Sequence, residues 1–178
     1  MSFTLPEEWR AGVPDTVEEL IAIRACESLI IDFCDRIDAG DVAAAMALHT
    51  ADHQMYDISR PEPLDYAEME ARLNKVRFSY EGREVFHVPS NVRLQVVAPD
   101  TVQGSFHIAL YDLVRMPGGR GIGAKSTEFL GFANEHVLFR LDDGRWKFAA
   151  RKMRFISGAK QLPIGTLPAN LPFEELKR

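Results

Sequence analysis

Cysteine is nearly missing from this chain: among 178 residues only Cys26 and Cys34 occur, eight positions apart in one helical pattern. That spacing is about 12 Å along a helix axis, which excludes a disulfide between them and leaves two core thiols. Positive charge is also in deficit. A formal net charge of −5 gives no general attraction for phosphate backbones or anionic lipid, so nucleic acid and membrane surfaces are excluded as partners. No apolar run approaches the roughly 20 residues needed to span a bilayer, and the first fifteen residues, with Glu7, Glu8, Arg10 and two prolines, do not form a signal peptide. A cytoplasmic protein is expected. The glycines of Gly118-Gly119-Arg120-Gly121-Ile122-Gly123 join two strand patterns instead of opening a helix, which argues against a nucleotide-binding loop.

What is present is enough apolar residue, 46%, for one sizeable core. Residues 1–14 form an arm, about 15–156 the core of a single domain, and 157–178 a Pro- and Gly-rich tail. Thr16-Val17-Glu18-Glu19 is a capping-box pattern that opens a long helix. Ile23, Cys26, Ile30, Cys34 and Ile37 recur at steps of three and four, and the same stripe reaches Asp38 before Gly40 ends the helix. Asp41 then caps a short Ala-rich helix. A strand at 53–58 and a helix at 65–78 follow, and then strands at about 83–98, 101–116, 124–141 and 145–156, joined by turn signals that predict antiparallel neighbours. Helices first and hairpin strands afterwards predict an α+β fold with helices packed on one face of a curved sheet.

Such a sheet leaves room for a ligand site, and polar residues on apolar parities are the candidates for its lining. Asp112 shares parity with Phe106, Ile108 and Leu110, and Arg151 shares it with Met153 and Phe155. His87 aligns with Asn91 and Arg93 rather than with Phe86, Val88, Val92 and Leu94, but Pro89 permits a bulge that resets the parity, so its direction stays open. Histidine is the one side chain that exchanges a proton near neutrality without help, and a carboxylate can orient it as a base. His87 and Asp38 are therefore the central pair. His49 and His53, four apart, would share a helical face as metal ligands, but the helix is expected to end by Thr50 and no metal site is assigned. Neither cysteine suits nucleophilic catalysis.

Ile-Asp-Ala-Gly-Asp at 37–41, Phe-His-Val-Pro-Ser-Asn-Val at 86–92 and Asp-Gly-Arg-Trp-Lys-Phe at 143–148 resemble, in this order and over about 15–156, the nuclear transport factor two-like or SnoaL-like superfamily. Within it the chain is similar to small cofactor-free lyases of the scytalone dehydratase, bile-acid 7α-dehydratase and dehydrochlorinase kinds. The resemblance implies a conical α+β barrel, His87 as base, Asp38 as its partner, and Arg151 as the arginine that follows the hairpin tryptophan in the dehydrochlorinase. The second pocket histidine of scytalone dehydratase falls on Asp112, and its pocket tyrosine falls at or beside Asp57, next to Tyr56. That departure bars transfer of the dehydratase mechanism as a whole. The expected chemistry is a lyase or isomerase step without metal or cofactor on a small, largely apolar hydroxylated or carbonyl-bearing substrate. Arg151 would hold a leaving group or oxyanion, and Tyr56, Asp57, Asn91, Tyr111 and Asp112 would bind substrate. The resemblance further implies a homodimer or homotrimer. Its alternative is a non-catalytic β subunit of a ring-hydroxylating dioxygenase, a group with a similar His-x-x-Ser-Asn-Val stretch, or a ligand-binding protein.

Overall fold

The computed structural model describes residues 14–56, 62–79, 84–115 and 125–158. The expected arm 1–14 save its last residue, Asp57, the glycine run at 118–123 and the tail from 159 lie outside them. In chain order the elements are α1 (Val17–Asp38), α2 (Val42–Met46), β1 (His49–Tyr56), α3 (Tyr66–Ser79), β2 (Glu84–Ala98), β3 (Thr101–Arg115), β4 (Lys125–Asp142) and β5 (Arg145–Gly158). Five strands form one sheet in the order β1-β5-β4-β3-β2, antiparallel except for the parallel β1–β5 pair. The sheet does not close. Every ladder carries a register shift, and bulges of this kind bend strands and increase their twist.

Local chemistry fixes the helix ends. The Thr16 hydroxyl accepts the Glu19 N–H at 3.1 Å, which starts α1. Its far end closes in a Schellman arrangement: Gly40, at φ 78, donates to the Ile37 carbonyl, and Asp41 donates to that of Arg36, both at 2.9 Å. Asp41 then accepts the Ala44 N–H at 2.9 Å and starts α2. Asp65 and Glu68 cap α3 reciprocally. The β4–β5 hairpin turns on Asp143 and Gly144, at φ 49 and 72, the double left-handed pair of a type I′ turn.

The core lies between α1 and the inner face of the sheet. Helix α1 buries Ala22, Cys26, Ile30, Phe33, Cys34 and Ile37: of the stripe predicted from spacing Ile23 is only half-buried, and Ala22 and Phe33 join it. Against it pack Leu94, Val102, Phe106, Ile108, Leu110, Val137, Phe139 and Phe148. A smaller cluster of Val42, Met46, Met55, Leu64 and Met69 seats α2 and α3. The outer face retains exposed Phe86, Val88 and Phe129. No helix among the described residues is long and apolar enough to cross a membrane. Strand β1 begins at His49, four residues before the predicted start, because α2 stops at Met46. His49 and His53 are thus strand residues, and the helical-face metal reading loses its geometry.

Candidate functional site

Asp38 and His87 meet. The Asp38 Oδ1 accepts a hydrogen bond from the His87 Nδ1–H at 2.6 Å, and Oδ2 accepts the His87 backbone N–H at 2.9 Å. Two features of the fold make this possible. The α1 stripe turns Asp38 inward on the last helical residue, and β2 is the edge strand, so among the described residues its outward N–H groups have no strand neighbour. The carboxylate thus fixes both the backbone and the ring of one residue. With Nδ1 donating, the neutral ring has its lone pair on Nε2, and among the described residues no hydrogen bond to that atom occurs. The two side chains are 14% and 15% exposed, enough for contact with a small molecule.

The direction of His87 follows from the ladder. Residues directly opposite in an antiparallel pair share a face, and Val85, His87 and Pro89 oppose Asp112, Leu110 and Ile108. Leu110 and Ile108 belong to the core and Asp112 is buried, so His87 points to the inner face. Asp112, one diagonal step from His87, lines the same face.

Arg151 is inward and buried, as its parity predicted, and two of its guanidinium nitrogens are engaged within the protein. Nε donates to Glu135 Oε1, and Nη1 approaches His49 Nε2 at 3.4 Å. The guanidinium lies over the Phe33 ring, 3.8 Å from the centroid, with Phe148 on another side at 5.1 Å. Its ion-pair partner is Glu135. His49 Nδ1 donates to the Ala45 carbonyl at 3.0 Å, so its Nε2 is an acceptor and the ring is neutral. Burial, then the charge of Arg151, holds its pKa well below the ordinary 6.5. His53, with Nδ1 donating to the Phe148 carbonyl at 3.1 Å, is pushed down to about 3, first by burial and then by Arg151.

Three other expected contacts face away from the dyad. Asn91 is exposed and donates to His107 Nδ1 at 2.9 Å. Tyr111 opposes exposed Phe86 and packs edge-on against Phe129, ring centroids 5.8 Å apart. Tyr56 donates to Gln54 at 3.1 Å on the outer side of β1. Cys34 sits one turn before Asp38, and burial above all pushes its thiol up to about 12; Cys26 is likewise raised to about 12. Neither is a thiolate near neutrality. No group of three or more His, Cys, Asp or Glu among the described residues is arranged to hold a metal ion.

Glu135 is the residue that sequence reasoning missed. It stands on the inward parity of β4 between Ala133 and Val137. The rule that singled out Asp112, a polar residue on an apolar parity, would have found it.

Solved structures share the architecture. A putative scytalone dehydratase from Novosphingobium aromaticivorans superposes with a TM-score of 0.68 at 16% identity, covering 86% of this chain and 96% of that one. A hexachlorocyclohexane dehydrochlorinase, LinA-type3 from Novosphingobium barchaimii, gives 0.62 at 17% identity, covering 85% and 98%. ActVI-ORFA from Streptomyces coelicolor gives 0.62 at 17% identity, covering 77% and 97%. A search of curated proteins finds no match. The SnoaL-like domain model matches residues 18–152, which span both halves of the dyad, and the chain belongs to the SnoaL-like family.

Proposed function

We propose that the protein is a cofactor-independent lyase of the dehydratase type, or an isomerase, with His87 as general base. The observation that carries this reading is the two-point grip of Asp38 on His87, which fixes tautomer, ring plane and backbone together. His87 Nε2 removes a proton from a carbon acidified by a neighbouring carbonyl, and Asp38 stabilises the imidazolium that forms. In elimination, the electron pair becomes the new C=C bond while the departing hydroxyl takes the proton and leaves as water. In isomerisation, the imidazolium returns the proton to a different carbon. Both outcomes conserve atoms and charge without a redox partner.

The inner face supplies mostly hydrocarbon around the dyad, including Val85, Phe106, Ile108 and Leu110, with Asp112 as a polar intrusion. This favours a small, largely apolar substrate bearing a hydroxyl or carbonyl group. Arg151 enters the reading as a buried supporting group, since its Nε and Nη1 are already directed at Glu135 and His49. Elimination is also the chemistry in the names of two of the structural neighbours, and it supports the same reading.

The test follows α-proton exchange in D₂O by NMR over a panel of β-hydroxyketones and β,γ-unsaturated ketones. Wild type should accelerate exchange or turnover of at least one class. His87→Ala should lose about 10² to 10⁴ of that rate, the usual worth of general acid–base catalysis. A loss under about threefold would overturn the assignment. Absence of any turnover, with co-purification of a much larger iron–sulfur protein, would favour the non-catalytic subunit, a reading to which the exposed Phe86, Val88 and Phe129 on the outer face are suited.

A further inference from the structure

The apolar residues of β2 on even positions, Phe86, Val88, Val92, Leu94 and Val96, would all face the core in an unbroken strand, and His87 would then face outward. The structure divides the strand instead. From Val92 onward the even residues face in: Leu94 is buried opposite Gly104, and Val92 and Val96 pack on the core. Before Ser90 the odd residues face in, with Val85 buried, while Phe86 is 43% and Val88 46% exposed. The change occurs between Ser90 and Arg93, where three residue steps of β2 span two steps of β3, from His107 to Ser105.

Asn91 occupies this bulge at φ 50, a left-handed conformation that asparagine tolerates and β-branched residues resist. Its side chain reaches across the ladder to His107 Nδ1 at 2.9 Å. On the next strand Gly104 makes room for the bulged backbone: a Cβ there would lie 2.0 Å from the Arg93 carbonyl oxygen. Three independent features therefore converge on one irregularity. Its effect is to expose two large apolar side chains and to bring one histidine inside, opposite in sign to what burial alone favours.

We propose that Asn91 is a positioning residue: with His107 it holds the bulge that reverses the parity of β2, and this turns His87 inward onto Asp38. The proposal deepens the reading of His87 as base and gives Asn91 a role on the opposite face of the sheet from the substrate. It also implies that the specificity of the site does not involve the Asn91 amide. The same geometry places the His87 N–H on the free edge of β2, where Asp38 receives it. A shift of parity would turn that N–H toward β3 and remove both bonds at once.

The test reads His87 directly by NMR, through the protected Nδ1–H resonance of the ring bonded to Asp38, and needs no activity assay. Asn91→Val, which resists positive φ, should lose this resonance while the chain stays folded by circular dichroism. Asn91→Gly, which keeps the backbone free to adopt it but gives up the tie to His107, should retain the resonance with faster exchange. Retention in both variants overturns the proposal. Should Asn91→Val fail to fold, His107→Ala decides: it removes only the cross-strand tie, and an Nδ1–H resonance and exchange rate identical to wild type would overturn the role of the tie. Loss of the resonance in Asn91→Val, combined with an inert His87→Ala phenotype, would uphold the positioning role and sink the catalytic one, so the two claims fail separately.

Discussion

Two acid–base pairs join distant parts of this chain, and they differ chiefly in their contact with water. Asp38–His87 is reached by solvent on both partners, whereas Glu135–Arg151 is 0% and 3% exposed and is roofed by Phe33. Among the described residues the first leaves a ring nitrogen without a hydrogen-bond partner; the second directs its charged donors into the protein. Proton transfer to an outside molecule needs an unsatisfied, reachable lone pair, which only the first pair offers. The buried pair instead ties β5 to β4 and holds the aromatic rings between α1 and the sheet. Similar residue types thus leave a reachable ring nitrogen at one depth and give cohesion at another.

The sharpest way to break this comparison is to cut each pair and measure unfolding in urea. Removing one partner of the dry pair, by Glu135→Ala or Arg151→Ala, should cost about 3–5 kcal/mol, because the surviving charge stays buried without compensation. Replacing both, as Glu135→Leu with Arg151→Met, should be close to neutral. A cost under about 1 kcal/mol for the single variants would mean that water reaches the cluster and that the contrast with the dyad is false.

Acid sharpens the same contrast. In the fold His53 is neutral down to about 3 and His49 is held down as well, while in the unfolded chain both protonate at their ordinary 6.5. Below pH 6.5 the unfolded state therefore binds more protons, and stability falls as pH falls. The contribution is complete above that value and continues to be lost toward pH 3. Each of these neutral histidines steepens the loss by up to about 1.4 kcal/mol per pH unit. His136, also held down by burial, adds the same sign. Urea midpoints between pH 7.5 and 5, above most carboxylate titration, should show this slope, and His53→Gln should flatten it by about one proton. An unchanged slope in that variant would place the proton uptake elsewhere.

The same contrast explains what was legible in the sequence. Asp38 could be turned inward from the spacing of Cys26, Ile30, Cys34 and Ile37 alone, since a helix repeats its faces regularly. The four long strands and the Asp143-Gly144 turn were equally readable, because turn chemistry is local. His87 was not, as its direction depends on a bulge whose cause lies partly in Gly104 and His107 on another strand. The place of Glu135 on an apolar parity between Ala133 and Val137 was legible, but its partner was not, since Arg151 stands sixteen residues away across a hairpin. The outward turn of Tyr111 and Asn91 likewise requires the register, which alternation within one strand cannot supply.

Between these depths lies the dyad, where Asp38→Ala should cost about 1–2 kcal/mol, since water can reach the histidine left behind. A third pair completes the series at the surface. Arg140 donates to Asp52 with side chains 42% and 68% exposed, and this contact is the first cause holding the Asp52 carboxyl below the usual carboxylate range. Exposure on that scale lets water and salt screen the attraction, so Asp52→Asn should cost at most about 1 kcal/mol. The difference from wild type should shrink further when salt is raised to 1 M, where the Debye length is about 3 Å. A cost above about 2 kcal/mol, or one indifferent to salt, would show that depth does not rank the three pairs. The distinction between the solvent-reached dyad and the buried pair would then have to rest on hydrogen-bond geometry alone.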